Sequence, residues 1–197
     1  MSYPPLNPGR TTTYEQTIEA IDAGARVGTH LFNAMRPVHH REPGPVTALV
    51  EDPRVTVEMI CDGVHLHPSL YRVVTEQAGP HRVALVTDAM SAAGTPDGSY
   101  RLGSLAVSVD GGVARIAGTD TIAGSTATMD SMFRFALQHG PQNPDRALLE
   151  AVRQTSVNPA TAMGLDTVGL HVGGRADLVA LDESSNVVAV FRGGEEI

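Results

Sequence analysis

The chain has no lysine, a single cysteine and no long apolar run, and each absence removes a class of protein. With Cys61 alone, no internal disulfide can form, and a reducing compartment is the expectation. Cys61 closes the apolar run 55–61, where a thiol reads as a small buried hydrophobe rather than a nucleophile. No stretch approaches the ~18–20 apolar residues of a membrane-spanning helix. The start, Met1-Ser2-Tyr3-Pro4-Pro5, lacks the basic-then-apolar pattern of a signal peptide. A soluble, cytoplasmic protein is therefore expected. Positive charge is scarce: 14 basic residues face 22 acidic ones, for a net charge of −8. That balance carries no basic footprint for nucleic acid, although a few placed Arg and His side chains can still hold an anion. The glycine-spaced stretch 118–124 precedes a helix, yet without a phosphate-loop lysine it does not read as a nucleotide loop. What remains is ordinary for a globular chain: 197 residues, 42% hydrophobic and 18% charged, enough for one domain with a small appendage.

Residues 1–12 carry three prolines in their first eight positions, show no periodicity, and read as an irregular lead-in. Thr13 followed by Gln16 forms a capping-box pattern, and the helix it starts should stop at Gly24. Apolar strands are expected at 26–31, 55–62 and 82–88, with helices at 46–51 and 69–78 between them. Such alternation is the signature of a parallel β/α architecture. Residues 105–109 and 113–116 flank Asp110-Gly111-Gly112 and read as a hairpin. Helices follow at 125–139, with Met129, Met132, Phe133, Ala136 and Leu137 on one face, and at 143–154. Asn158-Pro159 reads as an N-cap with proline at the first helical position. Residues 177–181 and 186–192 are expected as strands of a small terminal β unit.

The chemistry-bearing residues fall at strand ends. Val27-Gly28-Thr29 runs into His30, Met59-Ile60-Cys61 into Asp62 and then His65, and Leu85-Val86-Thr87 into Asp88. Carboxyl ends of parallel strands are where (β/α) barrels build active sites, and His and Asp are natural ligands or acid–base groups. Singly, each has a plainer reading: a strand-end histidine is usually a structural hydrogen-bonder, and Asp88 can simply cap the next segment. Convergence of all of them on one edge favours a site. His39-His40-Arg41-Glu42-Pro43-Gly44 reads either as a solvated turn or as an anion clamp built on the planar fork of Arg41.

Gly28-Thr29-His30-Leu31-Phe32-Asn33-Ala34-Met35, followed by Arg41-Glu42-Pro43-Gly44, resembles the core signature of N-acetylglucosamine-6-phosphate deacetylases. Asp62-Gly63-Val64-His65, Val86-Thr87-Asp88-Ala89, Ala123-Gly124-Ser125, Asn158-Pro159-Ala160 and Gly174-Arg175-Ala176-Asp177-Leu178-Val179 follow in the family's order. The resemblance runs from about Thr13 to the end. It implies metal-dependent hydrolysis of the acetamide of N-acetylglucosamine 6-phosphate to glucosamine 6-phosphate and acetate, in amino-sugar catabolism. It further implies that His30 is a metal ligand and Asp88 the catalytic carboxylate. Asn33, Ala34 and His65 then surround the sugar phosphate, and Arg41 binds phosphate across a homodimer.

The same resemblance implies one divalent, zinc-like ion per site, held by His30, a second histidine and a glutamate. The stretch Pro8-Gly9-Arg10-Thr11 falls on the second histidine's motif with Gly9 in its place, and the glutamate's strand has no counterpart. The implied fold is α/β: the C-terminal half of a TIM-like (β/α)8 hydrolase barrel over 13–167, with a small β-sandwich segment over 168–197. A full barrel takes ~250 residues, and roughly four strands' worth is expected here. The alternative reading is a catalytically incomplete fragment or degenerate paralogue that keeps part of the sugar-phosphate pocket. A deaminase or a dihydroorotase-like enzyme is disfavoured by the Arg41 and Asn33-Ala34 match.

Overall fold

The computed structural model describes residues 5–165 and 169–197. Helix α1 (Tyr14–Asp22) begins as its sequence requires: the Thr13 hydroxyl accepts from the Gln16 N–H, and the Gln16 side chain accepts from the Thr13 N–H at 3.0 Å. Two of the helix's orphan donors are satisfied this way. Strand β2 (Val27–Gly28) follows and is far shorter than the 26–31 expected, because the backbone turns left-handed at His30. Gly28 is needed where it stands, since a Cβ there would come within 2.9 Å of Leu49 Cδ1 on helix α2 (Gly44–Glu51). Strand β3 (Thr56–Met59), helix α3 (Pro68–Ala78) and strand β4 (Val83–Leu85) complete the alternation.

These strands form one parallel sheet in the order β1-β2-β3-β4. Its first member, β1 (Pro5–Leu6), corrects the expectation that residues 1–12 are wholly irregular. The short strand pairs with Val27–Gly28, and Leu6 also accepts the Thr29 N–H at 3.1 Å. Proline is tolerated because the strand lies at an edge, where a missing donor costs little. The helices cover the buried side of the sheet, where Ile21, Leu31, Leu49, Val57, Met59 and Leu85 lie within the main core. Each such side chain contributes about 1.5–3 kcal/mol on burial.

A second, antiparallel sheet holds β5 (Gly98–Leu102), β6 (Leu105–Asp110), β7 (Val113–Ile116) and β8 (Ile122–Gly124). The expected hairpin is β6–β7, and Gly111 and Gly112 supply its two left-handed residues (φ 57° and 74°). This sheet is tied to the end of β4, where Ser125 N–H donates to Asp88 O at 3.2 Å and Met90 N–H to Ser125 O at 2.9 Å. Because Ser125 serves that bridge, helix α4 (Met129–His139) starts four residues later than the apolar pattern suggested.

Helix α5 (Pro144–Val152), capped by Asn143, runs through a π-helical turn (Arg153–Val157) into α6 (Asn158–Ala162). Asn158 is therefore not an N-cap. It has helical angles (φ −66°, ψ −45°), and its buried amide donates to Pro80 O at 2.9 Å and Val83 O at 2.7 Å. A third sheet, β9 (Leu178–Leu181), β10 (Val187–Arg192) and β11 (Glu195–Glu196), is antiparallel and has no fully buried residue. The expected boundary at 167/168 lies outside the described residues. Among those residues no helix is long and apolar enough to cross a membrane.

Candidate active site

Backbone strain marks the strand ends. Among the described residues five non-glycine residues have positive φ, and four of them are His30 (34°), Phe32 (73°), Ala34 (55°) and Asp88 (47°). Each such residue costs of order 1–3 kcal/mol and persists only where neighbouring structure over-determines it. After β2 the over-determination is visible. Leu31 N–H donates to Glu58 O at 2.7 Å, Asn33 N–H to His30 O at 2.9 Å, and Met35 N–H to Phe32 O at 3.3 Å. The His30 ring Nδ1 lies 3.2 Å from Asn33 O, and the Asn33 amide donates to Leu31 O at 3.3 Å. Leu31 and Met35 anchor the winding segment by facing the core.

After β3, Asp62 organises the next turn. Its Oδ1 accepts the N–H groups of Val64 (2.9 Å) and His65 (2.8 Å), while Oδ2 lies 2.6 Å from His65 Nδ1. Burial would raise the Asp62 carboxyl, but the hydrogen bonds from the His65 ring and the two backbone amides outweigh it and hold it below the ordinary carboxylate range. The imidazole is held through Nδ1, which leaves Nε2 free of the Asp62 carboxylate.

Glu58 belongs to this site, and the motif reading passed over it. Val57 and Met59 are buried, so Glu58 between them points to the opposite face of the sheet. Burial lifts its carboxyl above the usual range and the charge of Asp88 adds to this, while the His30 backbone N–H and ring oppose. The signal was present in the sequence: a charged residue inside an otherwise apolar parallel strand calls for a reason.

His30 and Asp88 thus both act electrostatically on Glu58, and His65 pairs with Asp62 on the next turn. Asp88 is exposed and His30 half-buried. Arg41 stands apart. It lines a shallow depression of about 230 Å3 with Thr13, Tyr14, Arg36 and Gly44, and none of the other candidates borders it. Its guanidinium lies 2.7 Å from the His40 ring, while Arg36 pairs with Glu42 at 2.5 Å. Cys61 is fully buried, and burial lifts its thiol far above the ordinary value, which removes it as a nucleophile.

A metal ion finds no complete ligand set here: among the described residues no three His, Cys, Asp or Glu side chains gather as one would need. His30 offers one imidazole, and zinc sites generally use three or four protein ligands. Gly9 stands in open space, with nothing within 4 Å of the Cβ it lacks.

A family model described as "Amidohydrolase family" matches residues 9–197. The chain belongs to the amidohydrolase family. Within it, the N-acetylglucosamine-6-phosphate deacetylase of Bos taurus is 41% identical over 184 residues, covering 90% of this chain and 44% of that protein. A putative N-acetylgalactosamine-6-phosphate deacetylase of Escherichia coli (strain K12) is 39% identical over 168 residues and is itself covered to 97%. Among solved structures, a mutant of the Mycobacterium smegmatis N-acetyl-D-glucosamine-6-phosphate deacetylase in complex with N-acetyl-D-glucosamine-6-phosphate shares 60% identity and a TM-score of 0.94. That match covers 96% of this amidohydrolase chain and 50% of the other. The chain spans about half the length of the first curated relatives it matches.

Proposed function

We propose that this chain supplies the acid–base and sugar-phosphate side of an N-acetylhexosamine-6-phosphate deacetylase that works on N-acetylglucosamine 6-phosphate. The observation that carries the reading is the close likeness to the mycobacterial chain that binds N-acetyl-D-glucosamine-6-phosphate. It is supported by left-handed strand ends at His30 and Asp88, which a merely structural sheet would not need. The sheet is read as half of a (β/α)8 barrel over 13–167, followed by a β-sandwich segment over 168–197. A cytoplasmic setting suits amino-sugar catabolism.

An amide carbonyl is a poor electrophile, so hydrolysis needs an activated water and a protonated leaving amine. Asp88, exposed just after β4, takes a proton from water and returns it to the amine nitrogen. His65, fixed by Asp62, offers Nε2 to a substrate polar group. The Asn33-Ala34 segment, left-handed at Ala34, offers backbone groups for the sugar phosphate. Arg41, remote from Asp88, fits a phosphate contact in the neighbouring site of a dimer better than one in its own. In the complete enzyme a divalent ion would polarise the carbonyl, with His30 as one ligand. The described residues do not hold that ion unaided.

The alternative of a catalytically incomplete fragment or degenerate paralogue is not favoured, since family membership and the likeness to named deacetylases run over nearly the whole chain. Titration calorimetry with N-acetylglucosamine 6-phosphate, its galactosamine epimer and unphosphorylated N-acetylglucosamine tests the substrate class. Binding of the first should exceed the third at least tenfold and weaken in Arg41→Ala or His65→Ala. Failure of both phosphates to bind would overturn the reading.

A further inference from the structure

A cavity of about 360 Å3 lies between helices α3 and α5 and the turn 140–142 that follows α4. That is within the size range of small-molecule sites. None of His30, Asp62, His65 or Asp88 borders it. Its Gly79-Pro80 rim precedes β4, at the opposite end of that strand from Asp88. Glu150 lines the cavity and is buried although it carries a carboxylate. A buried charge is costly unless it is closely paired and fully hydrogen-bonded. Its Oε1 accepts from Arg146 Nε at 2.8 Å, but the Arg146 side chain is 68% exposed against 5% for Glu150. The guanidinium thus compensates from the solvent side, where pairing is weak, and one bond fills a small part of what a carboxylate can accept.

Two neighbouring polar groups are buried without a hydrogen-bond partner among the described residues: the Thr75 hydroxyl and the Gln154 Nε2. Such orphans are few in native structures, and each calls for a ligand or water. Thr75 lies in the cavity wall, one turn from Tyr71 on α3. The Tyr71 hydroxyl, also in the wall, donates to Gln154 Oε1 at 2.9 Å, which leaves the phenol oxygen as an acceptor. Burial lifts that phenol above its ordinary value and the charge of Glu150 adds to this, so it keeps its proton. The wall therefore gathers a carboxylate, a phenol oxygen and a hydroxyl. A primary ammonium matches them with three N–H donors and brings the charge that Glu150 lacks on the inside. Water would satisfy the orphans but would leave that charge uncompensated. At the mouth, Arg72 and Glu76 are both exposed and set a donor beside an acceptor, which suits hydroxyl groups better than a phosphate.

We propose that this cavity is a binding site for a small hydroxylated primary amine in its ammonium form. The ammonium sits on Glu150, Tyr71 and Thr75, and the hydroxyls reach Arg72 and Glu76. The class includes the amine that the proposed deacetylation releases, but the cavity carries the inference without that reaction.

Amide NMR of the isotope-labelled chain, titrated with glucosamine, tests the site. Amides of 71–76, 140–142 and 146–150 should shift saturably. Glucose, which lacks the nitrogen, and N-acetylglucosamine, which lacks the charge, should leave those amides in place. Glu150→Gln should weaken glucosamine at least tenfold. Thr75→Val exchanges an orphaned hydroxyl for a methyl, so it should weaken glucosamine without lowering the melting temperature. That variant separates lost binding from lost folding. No saturable shift with glucosamine overturns the inference, because water is then the only occupant. So do equal shifts with glucose, or unchanged binding in Thr75→Val. Shifts confined to 30–34, 62–65 and 88 also overturn it, since the amine then sits at the candidate active site. Failure of N-acetylglucosamine 6-phosphate to bind anywhere overturns the proposed function and leaves this site standing.

Discussion

Asp62 and Glu58 are two half-buried carboxyls a few residues apart, and they act on stability in opposite directions. The Asp62 carboxyl is held below its ordinary value of 3.8, so its contribution is present above that pH and is lost as acid titrates the folded state. Asp62→Asn should cost about 2 kcal/mol at pH 7, the scale of charge-assisted hydrogen bonds. The deficit should shrink below about pH 4, which urea titrations at both pH values will show. Glu58 is raised above its ordinary 4.5, so the stability linked to its protonation is present below that value and declines as pH rises through the folded pKa. Glu58→Gln should therefore leave the protein at least as stable at pH 7 by the same measurement, consistent with a charge retained for function rather than folding. At this scale the sequence was half legible. His30, His65 and Asp88 are visible as polar punctuation after apolar strands. The left-handed angles at His30 and Asp88 are not, because only tertiary contacts hold non-glycine residues there. Gly9 adds a residue-level test. With open space at its missing Cβ, Gly9→His should be tolerated within about 0.5 kcal/mol, the range of surface substitutions. Calorimetry with zinc then reads whether the new imidazole tightens binding beside His30, and no gain would place position 9 outside the metal site.

Between elements, the clearest discrepancy is Asn158. An Asn-Pro pair ahead of a helical pattern has all the features of an N-cap. Local chemistry could not show that α5 continues through a π-helical turn and carries Asn158 into the helix. There its amide joins α6 to the carbonyls of Pro80 and Val83, at the start of β4. Asn158→Ala should cost about 2–3 kcal/mol, since one buried and one part-buried carbonyl lose their donor. Asn158→Asp should cost at least as much, because an acceptor would then face acceptors. Urea midpoints will rank the two, and a neutral alanine variant would show that water replaces the clamp. The capping box of α1 was legible for the reason that Asn158 was not: Thr13 and Gln16 both act within one turn. Strands β5 and β8 escaped the reading because their short, polar, glycine-bearing segments gain strand character only by pairing with β6 and β7.

For the whole molecule, the alternation of apolar strands with amphipathic helices was enough to read the parallel sheet. The pairing of β1 was not, since a two-residue edge strand leaves no periodic trace. The largest consequence concerns metal. A ligand that binds only the folded state raises stability by RT ln(1 + [L]/Kd), about 2.7 kcal/mol at a hundredfold excess over Kd. A chain offering His30 without clustered companions should bind zinc too weakly for that gain. Adding 100 μM zinc should thus shift its melting temperature by less than about 2 °C, well under the ~5 °C or more that ~2.7 kcal/mol implies for a protein of this size. A full shift in the free chain, lost in His30→Ala, would mean that the chain assembles a metal site unaided.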